Sequence, residues 1–166
     1  VSDGLFLDSV RAVRNQFPDF EYEEQIVDAM AALLIRDPSQ FDVVVTTNMY
    51  GDILSDEASE IAGSLGMAAS LNSGEDFAMA QAQHGSAPSL AGLNIANPSS
   101  LVGSAAMLLR WIGKRKNTIN FYNAADAIDH AIATAVKSPS TRTSDLGGEI
   151  GTVAYTDGLI KTIINA

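Results

Sequence analysis

Asp52, Asp56 and Glu60 stand four residues apart in the stretch Asn48-Met49-Tyr50-Gly51-Asp52-Ile53-Leu54-Ser55-Asp56-Glu57-Ala58-Ser59-Glu60. On a helix that spacing puts the three carboxylates on one face, with Ile53, Leu54, Ala58, Ile61 and Ala62 forming an inward stripe on another. Like charges so placed cost about 0.2–0.5 kcal/mol per pair on an exposed helix, so something should offset them. The positive end of the helix dipole is one offset, with Asp52 and Asp56 expected in or near the first turns. A hard divalent cation, Mg²⁺ or Mn²⁺, is another, because it prefers carboxylate oxygens. On spacing alone a solvated acidic face is the simpler account. Asp28, which follows the apolar Ile26-Val27, could bring a third carboxylate. Three such groups would leave coordination positions open for an oxygen-rich substrate, and the ion could act as a Lewis acid on a carbonyl. As a helix N-cap Asp28 has an equally ordinary explanation.

Two loops could bind rather than react. In His84-Gly85-Ser86-Ala87-Pro88 the glycine permits unusual backbone angles, Ser86 and exposed amides could hydrogen-bond a phosphate or ribose, and His84 offers a flat face to a base. The loop runs on through Gly92 to Asn97, and G-x-G-x-x-G spacing is absent. Ser144 to Gly151 contains Asp145-Leu146-Gly147-Gly148, where glycines allow close backbone approach and Asp145 could accept a hydrogen bond. Taken alone, the first loop is a turn and the second a helix connection.

These residues need elements to hold them. Ser2 or Asp3 can cap a first helix carrying Leu5, Phe6, Leu7, Val10 and Val13. Phe20 to Val27 alternates loosely and reads as a strand; Asp28 then caps an apolar helix from Ala29 to Ile35. Phe41 to Thr46, with its β-branched Val43-Val44-Val45, suits a short buried strand feeding the acidic helix. Short strands follow at Met67 to Leu71 and Phe77 to Ala82. Pro98 suits the first turn of a helix closed by Lys114-Arg115-Lys116. A helix from about Thr118 to Val136 places Phe121, Ala125, Ile128, Ile132 and Val136 inward, with His130 a surface or packing residue, and a last helix starts near Thr152. Strands alternating with helices indicate an α/β architecture.

Composition limits the partners. The 166 residues are 46% hydrophobic and 18% charged, as in a globular chain with a sizeable core. A formal charge of −10 argues against a nucleic-acid surface and leaves no basic amphipathic face for a membrane. With no cysteine, neither disulfides nor thiolate metal sites are possible, so a cation would need oxygens or the two histidines. No apolar run approaches the ~20 residues of a membrane span, which makes a cytoplasmic location the default.

In order along the chain, these stretches resemble the β-decarboxylating dehydrogenases, the family of isocitrate, isopropylmalate, homoisocitrate and tartrate dehydrogenases. Asn48 to Ser59 is similar to the family's metal-site signature, and Gln25-Ile26-Val27-Asp28-Ala29-Met30 to the segment with a further metal aspartate. His84 to Pro88, with Ile95-Ala96-Asn97-Pro98, is similar to its adenine-dinucleotide loop, and Asp145 to Gly148 to its late adenosine loop. The wording is nearest isopropylmalate and tartrate members.

The resemblance implies an isopropylmalate dehydrogenase-like α/β fold, present as the C-terminal half of a two-domain enzyme. Residues 1–62 would be the later part of the small, dimer-forming domain, and residues 63–166 the returning part of the large dinucleotide-binding domain. Asp52 and Asp56 of one subunit and Asp28 of its neighbour in a homodimer would hold Mg²⁺ or Mn²⁺. His84, Gly85, Ser86, Ala87, Ser89, Asn97 and Asp145 would bind the dinucleotide. The implied reaction is oxidative decarboxylation of a 2-hydroxy acid such as 3-isopropylmalate or isocitrate, with the catalytic lysine upstream of Val1.

Where NAD-using members commonly have Asp this chain has Ser89, and where NADP-using bacterial isocitrate enzymes have Lys-Tyr it has Ser89-Leu90. A 2′-phosphate wants a cation, so NAD is favoured over NADP. Gln81-Ala82-Gln83 replaces the usual Glu-Pro-Val and removes a carboxylate near the nicotinamide side. Another class of function fits the same wording: a non-catalytic subunit that pairs with a full-length homologue and regulates it.

Overall fold

A computed structural model describes residues 2–166, excluding the side chain of Ser2. The chain divides into two compact units, Val1–Ala58 and Ser59–Ala166.

In the first unit, α1 (Ser2–Arg14) and α2 (Val27–Arg36) precede α3 (Asn48–Ala62), whose last residues belong to the second unit. The core is small: Met30, Leu34 and Leu54 are buried, with Val27, Ala31 and Phe41 against them. On α2, residues 27, 30, 31 and 34 share a stripe, which is why this helix finds a core. Asp3 lies in the first turn of α1, while a capping role for Ser2 falls outside the described side chains.

Both strands expected here are absent among the described residues. Residues 20–26 and 41–46 form no ladder, leaving Val43 81% and Ile26 74% exposed. A β-branched or alternating run favours extended backbone but becomes a strand only when another strand pairs with it. Residues 20–24 are tied down instead by side chains: Arg11 donates to both Glu24 carboxylate oxygens at 2.7 and 2.6 Å, and Tyr22 donates to Glu24 at 2.8 Å.

Asp28 is not the N-cap expected of it. Ile26 occupies that position, and Asp28 sits inside the first turn with its carboxylate accepting from the Ala29 amide at 2.7 Å. Helix α3 begins earlier than Gly51, so its dipole end acts less on Asp52 and Asp56 than expected. Its inward stripe is also narrower: Leu54 is buried and Ala58 half-buried, whereas Ile53, Ile61 and Ala62 are exposed.

The second unit contains the hairpin β1 (Ala69–Ser73) and β2 (Ala78–Ala82), followed by α4 (Ser99–Lys116), α5 (Ile119–Ala135) and α6 (Thr152–Ile164). The strands pair antiparallel, Ala69 opposite Ala82 and Ser73 opposite Ala78, across the turn at Gly74. Strand and helix are thus both present in a helix-rich α/β arrangement, as expected in kind. The described sheet has these two strands alone.

Helix α4 packs on the hairpin and on α5, and α5 on α6. Buried serines make the first contact possible. The Ser104 hydroxyl accepts from the Ser70 amide at 3.0 Å and donates to the Gln81 carbonyl at 2.7 Å. Ser100 accepts from the Gln83 amide at 3.1 Å and donates to the Ala68 carbonyl. Each hydroxyl pairs with backbone groups of the hairpin or of the residues flanking it. Gly103, between them, lets Ala69 approach: a Cβ there would lie 3.2 Å from the Ala69 methyl. Ala131, Tyr155 and Leu159 complete the core where α5 meets α6. No described helix is long and apolar enough to cross a membrane.

Candidate metal and dinucleotide sites

Asp52 and Asp56, one turn apart on α3, are both exposed. Asp52 Oδ2 accepts from Asn48 Nδ2 at 3.2 Å, a helical pair that orients the carboxylate and leaves Oδ1 for another partner. Asp28, on α2, uses one carboxylate oxygen on its own helix turn. Among the described residues no three His, Cys, Asp or Glu side chains gather closely enough to hold an ion. The chain therefore brings two acidic side chains to one helix face and does not bring Asp28 to them. Carboxylate oxygens are donors of the kind a hard cation prefers.

The loop from His84 to Asn97 lies in the second unit. The half-buried His84 directs Nδ1 at the Gly85 carbonyl, 2.8 Å away, so that nitrogen is the donor. Gly85, Ser86, Ala87 and Ser89 are exposed. The unusual backbone angle expected at Gly85 falls instead on Ala87, at φ 41° and ψ 59°. Pro88–Leu90 then makes one 3₁₀ turn, with the Leu90 amide donating to the Ala87 carbonyl at 2.9 Å. A non-glycine residue held left-handed just before a proline fixes the direction of this turn at some cost in strain.

Asn97 and Asp145, 48 residues apart, do meet, and mainly each other: Asn97 Nδ2 donates to Asp145 Oδ2 at 3.0 Å. Ser64 donates to the same oxygen at 2.5 Å across 81 residues. Asn97 also accepts from the Ser99 amide at 3.0 Å, and the hydroxyls of Ser99 and Tyr155 lie 2.6 Å apart. Burial pushes the Asp145 carboxyl up, but donors including Ser64 and Asn97 outweigh it and hold the group below the usual carboxylate range. Burial raises the Tyr155 hydroxyl, which the Ser99 contact only partly counters. Asp145 Oδ2 is thus committed to the fold.

Ser64, Ser99 and Tyr155 carry no signal in the sequence that would place them at this site. Only Asn97 and Asp145 stand in recognisable stretches. Separations of this size leave no periodic pattern.

Comparison with known proteins identifies the family. The isocitrate/isopropylmalate dehydrogenase family model matches residues 1–163. This chain belongs to that family. It is 44% identical over 165 residues to a 3-isopropylmalate dehydrogenase of Sulfurisphaera tokodaii, covering 99% of this chain and 47% of that protein. It is 40% identical over 163 residues to a mitochondrial regulatory subunit of the NAD isocitrate dehydrogenase of Dictyostelium discoideum, covering 98% and 44% respectively. The crystal structure of isocitrate dehydrogenase from Methylococcus capsulatus superposes with a TM-score of 0.83 at 36% identity, over 96% of this chain and 46% of that one. The chain thus spans less than half the length of these relatives.

Proposed function

We propose that this chain supplies the metal-binding and dinucleotide-binding residues of a β-decarboxylating dehydrogenase acting on a 2-hydroxy acid of the isopropylmalate or isocitrate type. One observation carries the reading: Asp52 and Asp56 stand one turn apart on an exposed face of α3, in a chain of a family of such enzymes. Asp52 and Asp56 would hold Mg²⁺ or Mn²⁺, with Asp28 donated by a second copy of the chain in a homodimer. The bound ion would supply Lewis-acid stabilisation of negative charge on substrate oxygens.

In the second unit, exposed Ser86, Ala87 and Ser89 would offer backbone amides and hydroxyls to the adenosine half of NAD, with His84 against the base and Asp145, linked to Asn97, on the later connection. The absence of a cation at residues 89–90 favours NAD over NADP.

The test uses the protein expressed from its complete coding sequence. Asp52→Asn should reduce Mn²⁺-dependent turnover of isopropylmalate or isocitrate to background. Unchanged Mn²⁺ dependence would remove the metal assignment.

The similarity to a subunit named regulatory favours one second reading, a non-catalytic partner of a full-length homologue. A larger homologue recovered in stoichiometric amount with the native protein would support it, and turnover by this gene product alone would not.

A further inference from the structure

We propose that Asn94 is a positioning residue for the dinucleotide loop, capping α6 from across the fold and thereby fixing the returning limb of residues 84–97. The inference rests on the reading of that loop as the dinucleotide site.

The first amides of a helix need acceptors from outside it, usually from the residue just before. In α6 that residue is Gly151, which has no side chain to offer. The acceptors come from Asn94 instead. Its carbonyl receives the Thr152 amide at 3.0 Å, and its Oδ1 receives the Val153 amide at 2.9 Å.

Two features of the backbone make this possible. Asn94 is left-handed at φ 56°, a conformation that Asn tolerates better than most residues. Gly151 leaves the room: a Cβ there would lie 2.4 Å from the Asn94 carbonyl oxygen and 2.5 Å from Nδ2. Gly151 itself is at φ −86°, so glycine is required there by close approach and not by backbone angle.

The same limb is held twice more. Thr152 Oγ1 donates to the Ala96 carbonyl at 2.5 Å, and Asn97 donates to Asp145. The outgoing limb, by contrast, closes on itself: the Leu90, Ala91 and Leu93 amides donate to Ala87, Pro88 and Leu90. That limb carries Ser86, Ala87 and Ser89, so its placement depends on the anchored one. Releasing Asn94 would add loop freedom that dinucleotide binding must then remove, weakening affinity without touching the bond-making step.

The experiment measures KM and Kd for NAD, together with kcat, in the protein expressed from its complete coding sequence. Asn94→Gly keeps the left-handed backbone and loses the side-chain acceptor. Asn94→Asp keeps both. The Gly variant should raise KM and Kd for NAD about fivefold, the scale of one lost hydrogen bond, with kcat changed by less than about twofold. Asn94→Asp should restore wild-type affinity, and Gly151→Ala, which displaces Asn94, should reproduce the Gly phenotype. Wild-type affinity for NAD in Asn94→Gly, or a loss confined to kcat and thermal stability, would overturn the proposal. A wild-type protein that binds no NAD would overturn the loop assignment, and this inference with it.

Discussion

The two units of the chain solve the problem of holding polar groups in opposite ways. Residues 1–58 keep theirs outside: Asp52, Asp56 and the Arg11–Glu24 pair are exposed, and the buried apolar core is Met30, Leu34 and Leu54. Residues 59–166 bring theirs inside. Ser99, Ser100, Ser104 and Thr143 are buried, and hydroxyls and amides tie Ser64, Asn97, Asp145 and Tyr155 into one path. An exposed acidic face can be reached by an incoming cation. Buried hydrogen bonds instead hold loops in one arrangement, which is what recognition of a ligand by backbone groups requires.

The sharpest way to break this contrast is at Gly148. A Cβ there would fall 1.8 Å from the Arg142 carbonyl oxygen, so Gly148→Ala forces two backbone segments apart. It should cost about 3 kcal/mol of the second unit's stability, read by urea denaturation. A midpoint equal to wild type would mean that the 142–148 turn is not packed as described.

Acid should separate the units next. Asp145 and Glu24 are both held below their usual carboxylate range, Asp145 by neutral donors against burial and Glu24 by Arg11 first and then Tyr22. A depressed folded-state pKa contributes stability that is complete above the unfolded value near ~4 and is lost as pH falls through the folded value. Stability followed by hydrogen exchange in each unit should therefore decline as the pH drops below about 4. Salt should screen the exposed Glu24 contribution and leave that of Asp145 largely intact. Asp145→Asn should flatten the acid step in the second unit; a step unchanged in that variant would assign it to other carboxyls.

The smallest effect belongs to the valine run. Val43→Thr, at an exposed position without a ladder, should change the stability of this chain by no more than about 0.5 kcal/mol. A larger loss would show that this run is packed.

That run also marks where sequence reading stops. Helices α4, α5 and α6 are legible because their apolar spacing and terminal signals are local, from Pro98 before α4 to Lys114-Arg115-Lys116 at its end. The hairpin is legible to within a few residues at either strand. Residues 20–26 and 41–46 mislead because their patterns describe a preference that only a partner strand can realise. At the sites, the aspartates and the His84 loop stand out through their wording. The links from Ser64 to Asp145 and from Asn94 to α6 join residues 81 and 59 apart, and neither element shows the need for the other. Gly151 is readable as a flexible residue, but the reason for it, the Asn94 carbonyl, exists only in the fold.

The most direct test of this division of labour is hydrogen exchange on the protein from its complete coding sequence, recorded with Mn²⁺ alone and with NAD alone. The account predicts that Mn²⁺ slows exchange around residues 48–56 and 27–31, and that NAD slows it across residues 84–97 and 143–148. Protection of the same residues by both ligands, or NAD protection that spares residues 84–97, would contradict it.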